Sequence, residues 1–174
     1  MEFCLAKEKD ILQIMKLIEE AKEFLKQMNI DQWQNGYPDY KCIQSDIREK
    51  KAWLIIKNKE ILGYACVDFD GEIAYNSLKG KWLSNKQQYV VMHRLTVSNK
   101  IKGHGLSTKI IKFIEHMAIE EGIYSVRVDT DANNLIMKSV LEKNGFVYCG
   151  TINFDQSDKI AYEKLIKRRY NENI

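Results

Sequence analysis

Several groups in this chain are suited to chemistry. They are an imidazole, His93, inside an apolar run, and a basic glycine turn, Lys100-Ile101-Lys102-Gly103-His104-Gly105. Further along, Asn134 precedes an amphipathic stretch, and near the start the aromatics Trp33, Tyr37 and Tyr40 stand among Asp31 and Asp39. The turn follows Tyr89 to Val97, a run rich in β-formers, and opens an amphipathic stretch at Gly105. A strand-turn-helix junction aims several backbone N–H groups at one point, at the positive end of a helix dipole, and so suits a phosphate. Glycines let such a ligand approach the backbone closely. An imidazole exchanges a proton near neutral pH, which suits a general base. His93 is also read, more simply, as a satisfied core or surface histidine.

The elements that position these groups follow from apolar periodicity. Phe3 to Ala6 forms a short strand, and Ile11 to Met28 carries apolar residues at helical spacing. Asp31 to Asp39 reads as a loop and Tyr40 to Lys50 as a second helix, with Ile43 and Ile47 on one face. Ala52 to Ile56 and Ile61 to Phe69 make a hairpin whose turn centres on Asn58-Lys59. Asp70 to Gln88 has no clear period. Tyr89 to Val97 is a strand, Gly105 to Glu121 a helix stopped by Gly122, and Ser125 to Thr130 another strand. Asn133 or Asn134 caps a helix that runs to Asn144 before Gly145, and Phe146 to Ile152 and Ile160 to Ile166 close the order as strands. This alternation implies an α/β (α+β) fold in one domain over residues 1–174, with helices flanking a central, mostly antiparallel mixed sheet.

Composition narrows the function classes. The 174 residues suffice for one buried core, and 45% hydrophobic with 29% charged residues is ordinary for a globular protein. A net charge of +3 does not by itself point to nucleic acid. The cysteines, Cys4, Cys42, Cys66 and Cys149, form no CxxC pair, so no metal site is expected. No leader-like start or long apolar run is evident, which implies no membrane association and a reduced, cytoplasmic location.

Three loop chemistries compete for the glycine turn. A Walker A loop needs Gly-Lys-Ser/Thr, but Gly105 is followed by Leu106-Ser107. A dinucleotide loop needs a third glycine, but Thr108 follows Ser107. The third is the acyl-coenzyme A loop. Lys100-Ile101-Lys102-Gly103-His104-Gly105 resembles the Gln/Arg-x-x-Gly-x-Gly/Ala signature of the GCN5-related N-acetyltransferase (GNAT) family. The stretch from Asn134 through Leu141 to Gly145-Phe146 resembles that family's second pattern, an Asn followed at a fixed interval by a Tyr and then Gly-Phe. The order of elements agrees over almost the whole chain.

The resemblance implies a cytoplasmic enzyme that moves acetyl from acetyl-CoA to an amine by direct attack in a ternary complex. It implies that the backbone of Lys102, Gly103, His104, Gly105, Leu106 and Ser107 binds the coenzyme pyrophosphate, with Lys100 and Lys102 adding positive charge. Leu95, Thr96 and Val97 should lie beside the pantetheine arm, and the Leu95 backbone N–H should polarise the acetyl carbonyl. Asn134 caps its helix or reaches the coenzyme. Leu141 replaces the family tyrosine that protonates the departing thiolate, and it should line the thioester region by packing alone. Tyr124 and Tyr148 are other candidate hydroxyls. Trp33 and Tyr37 should shape the acceptor pocket, with Asp31 or Asp39 attracting a cationic amine and Tyr75 to Trp82 forming a further wall.

The acceptor stays open among polyamines, amino acids, aminoglycosides and protein N-termini, and the sequence is compatible with a homodimer. Two other classes also stay open. Loss of the phenol at Leu141 suits a non-catalytic acyl-CoA-binding sensor or regulatory module. The basic run Lys164-Leu165-Ile166-Lys167-Arg168-Arg169 would suit RNA, although a solvated terminus explains it as well.

Overall fold

Apolar residues at every third or fourth position wind into helices where they can share one buried face. The computed structural model describes residues 1–85, 87–154 and 157–167. In it α1 (Ile11–Gln27) buries Ile11, Ile14, Leu17, Ile18 and Leu25. Helix α2 (Tyr40–Arg48) starts at Asp39, whose carboxylate accepts the Cys42 N–H at 2.8 Å. Helix α3 (Leu106–Glu120) buries Leu106, Ile110, Ile111, Ile114, Met117 and Ala118. Beyond it the Ile123 N–H reaches back to the Ala118 carbonyl at 2.8 Å, around the left-handed Gly122. Helix α4 (Leu135–Lys143) is capped by Asn134.

The strands are β1 (Glu2–Leu5), β2 (Ala52–Lys57), β3 (Glu60–Asp68), β4 (Lys79–Gly80), β5 (Val90–Val97), β6 (Ser125–Thr130), β7 (Val147–Phe154) and β8 (Ser157–Leu165). They form one sheet in the order β1-β2-β3-β5-β6-β8-β7-β4, antiparallel except where β5 meets β6. The expected mixed, mostly antiparallel sheet flanked by helices is therefore the architecture. The β2–β3 turn has positive φ at both Asn58 (52°) and Lys59 (66°), the backbone that matches strand twist in a two-residue hairpin.

Each face of the sheet has its own core. Ile55, Ala65, Val67, Val90 and Met92 pack under α3 and α4, while Leu54, Tyr64 and Cys66 pack under α1 and α2. Burying each Val, Leu, Ile or Met among them contributes about 1.5–3 kcal/mol. Where α1 and α2 end, the 70–85 segment takes over, with Tyr75 packed on Val91, Ile152 and Ala161. Its β4 edge lies so close to β7 that a Cβ on Gly80 would meet the Cys149 carbonyl oxygen at 2.1 Å.

The same segment is clamped by a buried charge pair. Glu163, fully enclosed on β8, accepts from Ser84 N at 3.1 Å, Ser125 Oγ at 2.6 Å and Arg127 Nε at 3.2 Å. The Arg127 guanidinium lies 4.1 Å from the Trp82 ring centroid and 3.8 Å from that of Tyr89. Burial alone would raise the Glu163 carboxyl, but hydrogen bonds from Ser125 and Ser84 and the Arg127 charge hold it below its ordinary value. Its contribution is therefore complete above the usual carboxylate range and lost as pH falls through the lowered value. Glu163→Gln should lower unfolding free energy by about 3 kcal/mol at neutral pH, because it leaves Arg127 buried without a counter-charge. Urea unfolding at pH 7 and pH 4 checks this: the deficit should shrink at the lower pH, and an equal deficit at both would contradict the clamp.

Candidate active site

Strand β5 carries the candidate site from its middle to its C-terminal end. Its register with β6 covers only Val90 and Val91, so from Met92 to Val97 the two strands have parted. Leu95 and Val97 are half-buried against the α3 side of the core, and Thr96 is buried with its hydroxyl donating to the Arg94 carbonyl at 3.0 Å. The chain then turns through 98–105 into α3. Ser98 anchors the turn, its carbonyl accepting the Ile101 N–H at 3.1 Å, and the His104 N–H returns to the Ile101 carbonyl at 3.3 Å.

Gly103 (φ 82°) and Gly105 (φ 71°) take left-handed backbones, and a Cβ on either would meet nothing within 4 Å. Space above the turn is thus open for a ligand. Gly105 caps α3 without a side-chain hydrogen bond. The first N–H groups of a helix have no intrahelical acceptor, so those of Leu106, Ser107 and Thr108 face this space with the dipole behind them. A pyrophosphate fits such a cradle.

Neither lysine of the turn contributes its charge there. Lys102 folds back so that its Nζ lies 3.3 Å from the Phe24 ring centroid, enclosed and without a hydrogen-bond partner among the described residues. Burial pushes its pKa down, and the stem finds more apolar contact on α1 than over the open turn. Lys100 Nζ instead pairs with Glu60.

Midway along β5 lies a cavity of about 360 Å³, lined by residues that include Asp31, Trp33, Tyr37, His93, Arg94 and Asp129. Trp33, Tyr37 and Asp31 thus line one cavity with His93. His93 is largely buried between two carboxylates: Nε2 lies 3.6 Å from Glu72 Oε2 and Nδ1 4.0 Å from Asp129 Oδ1. The same Asp129 oxygen accepts the Tyr75 hydroxyl at 2.7 Å. The His93 ring, together with the Ala74 N–H, holds the Glu72 carboxyl below its ordinary value against its partial burial. Asp131, also on the cavity wall, pairs with Lys159 at 3.6 Å.

Other expected residues have different places. Asp39 is the α2 cap and does not line the cavity. Asn134 both caps α4, accepting the Met137 N–H at 3.0 Å, and donates to Gln32 Oε1 at 2.8 Å, tying α4 to the loop between α1 and α2. Leu141 is completely enclosed among the core side chains, where its part is packing. Tyr75 is buried behind Asp129 rather than walling the cavity directly. Tyr148 is exposed and packs edge-on against Tyr162, and Tyr124 lines no part of the cavity. Within the basic tail Lys164 pairs with Glu115, while Arg168 and Arg169 lie outside the described residues.

Sequence reasoning missed Arg94, Glu72, Asp129 and Gln32. Asp129 had a signal, the alternation Ser125-Val126-Arg127-Val128-Asp129, which puts polar residues on one strand face. Glu72 had none, since the 70–88 stretch carries no period.

The model of the acetyltransferase (GNAT) family matches residues 14–146. An acetyltransferase of the GNAT family from Streptococcus agalactiae is 34% identical, each chain covering 96% of the other, with a TM-score of 0.87. A putative acetyltransferase from Staphylococcus aureus Mu50 is 28% identical over 96% of this chain and 100% of its own, with a TM-score of 0.75. The Thermoplasma acidophilum PaiA N-acetyltransferase, solved in complex with coenzyme A, shares the fold at 15% identity over 94% of this chain and 98% of its own, with a TM-score of 0.69. No curated protein matches. A family match over most of the chain, on a sheet that parts beside an open phosphate cradle, means that this chain belongs to the GNAT acetyltransferase family, with acetyl-CoA as its acyl donor.

Proposed function

We propose that this protein transfers the acetyl group of acetyl-CoA to a primary amine held in the cavity beside His93. The observation that carries this reading is continuity along β5: the parted segment from Met92 to Val97 contains the cavity wall at His93 and runs directly into the glycine turn on a single run of backbone. Pyrophosphate over the glycine turn, on N–H groups that include those of Leu106, Ser107 and Thr108, would lay the pantetheine arm along the unpaired side of β5, as an added strand. The Leu95 N–H is then the group that polarises the acetyl carbonyl, where negative charge gathers as the amine attacks.

The amine arrives as an ammonium and must lose a proton before it attacks. His93 is the acceptor of that proton, with Glu72 and Asp129 holding its ring. Asp31 and Asp129 line the cavity with no Lys or Arg paired to either among the described residues. Trp33 and Tyr37 add aromatic surface. That lining suits a cationic acceptor. Attack is direct: Cys66 is buried beside Asp46, its thiol pKa raised by burial, and it is not placed to carry an acyl group. A sensor that binds acetyl-CoA without transfer is the second reading, favoured by the apolar, enclosed Leu141 where a phenol would protonate the thiolate.

Thiol release over a panel of diamines, amino acids, aminoglycosides and peptide N-termini should show turnover, fastest with an acceptor bearing an additional cation. Tight acetyl-CoA binding with no thiol release from any amine would establish the sensor reading instead. His93→Ala should lower kcat by roughly 10²-fold; an unchanged kcat means that another group takes the proton. Gly103→Glu places a carboxylate and a strained backbone in the cradle, and calorimetry should find coenzyme A binding weakened by roughly tenfold or more, about 1.4 kcal/mol. Unaltered affinity would remove the turn from the coenzyme site.

A further inference from the structure

Consecutive residues of a strand point to opposite faces, yet His93 and Arg94 line the same cavity. The cause is a bulge in β5. Cys66 of β3 stands opposite His93 and Tyr64 opposite Thr96, so Arg94 and Leu95 together face the single residue Ala65. Arg94 has φ of 53°, a left-handed backbone that a long side chain rarely adopts. Something must hold it there.

Asp46 supplies the hold. It is buried on α2 and accepts from Arg94 Nε at 3.0 Å and from Arg94 Nη2, the two-pronged geometry of a strong ion pair. It also accepts the Tyr64 hydroxyl and, at 3.5 Å, the Cys66 thiol. The third guanidinium nitrogen, Arg94 Nη1, donates to the Tyr37 hydroxyl. Tyr37 belongs to the acceptor loop and lines the cavity, with its ring centroid 5.8 Å from the guanidinium carbon. One buried pair thus joins α2, β3, β5 and the acceptor loop.

We propose that the Arg94–Asp46 pair is a positioning device: it holds the left-handed turn that sets the His93 wall and the following Leu95 peptide, and through Tyr37 it pins the 31–37 loop over the cavity. Arg94 is a positioning residue rather than a ligand for the acceptor, because its charge is already met by Asp46. The inference rests on the proposed transfer only in taking this cavity as the acceptor's place.

Three substitutions separate the parts. Asp46→Asn should reduce kcat more than tenfold while the calorimetric affinity for coenzyme A stays within twofold. Arg94→Gly should recover at least threefold in kcat over Arg94→Ala, because glycine takes the left-handed turn without a Cβ. Tyr37→Phe, which removes one oxygen and leaves the ring, should raise the acceptor KM at least threefold with kcat within twofold. Equal impairment of Arg94→Gly and Arg94→Ala, or Asp46→Asn with unchanged kcat, would overturn the device. A loss in Arg94→Ala confined to the KM of carboxylate-bearing acceptors would overturn it in favour of a direct substrate ligand. Hydrogen exchange supplies a readout that needs no turnover: amides 31–37 should exchange at least tenfold faster in Asp46→Asn and Tyr37→Phe, with α3 unchanged. If the wild-type protein acetylates no amine, the proposed function fails while the exchange result still decides the positioning inference; unchanged exchange in both variants overturns the inference even where turnover is found.

Discussion

After Val91 the β5 backbone loses its parallel neighbour, and peptide groups that no longer pair with β6 must find partners elsewhere. This constraint organises the whole site. A pairing gap in the middle of a sheet is costly unless a ligand or solvent completes it, and the gap opens beside a helix N-terminus whose amides are themselves unpaired.

Around this gap the fold spends its buried charges on one sheet face. Arg127–Glu163 locks the 70–85 segment against β6 and β8, and that segment brings Glu72 and Tyr75 to His93 and Asp129. Arg94–Asp46 ties the loop that carries Tyr37 to β5 and α2. Replacing a buried ion pair with well-packed apolar residues often leaves stability equal or better. Their value here lies in direction: a guanidinium fork fixes where neighbouring backbone and side chains sit, which apolar contact does less sharply.

Much of this was legible from residue order. The glycine turn, the helices at Ile11 and Gly105, the hairpin at Asn58-Lys59 and the second pattern at Asn134 all carry local signals, since turns, caps and periodic faces depend on residues near in sequence. The candidate positions Trp33, Tyr37, His93 and the 102–107 turn emerged the same way. Asp46 left a trace, a carboxylate three residues from Ile43 on the buried face of a short helix, but its meaning depended on an arginine far along the chain. Arg94 left a similar one, a lone cation within an apolar strand. Glu72 and the β4 edge left none, because their segment takes its shape from what it covers.

The sequence by itself determined the elements, their order and the phosphate-suited turn, because hydrogen bonding within a helix or turn and the period of apolar residues are local properties. Only the tertiary structure decided which side chains meet. It sent Lys102 onto Phe24 and away from the cradle, enclosed Leu141 in the core, and turned Arg94 onto the same wall as His93. Those outcomes come from competition between distant partners for burial and charge, and that competition is settled only when the whole chain has packed.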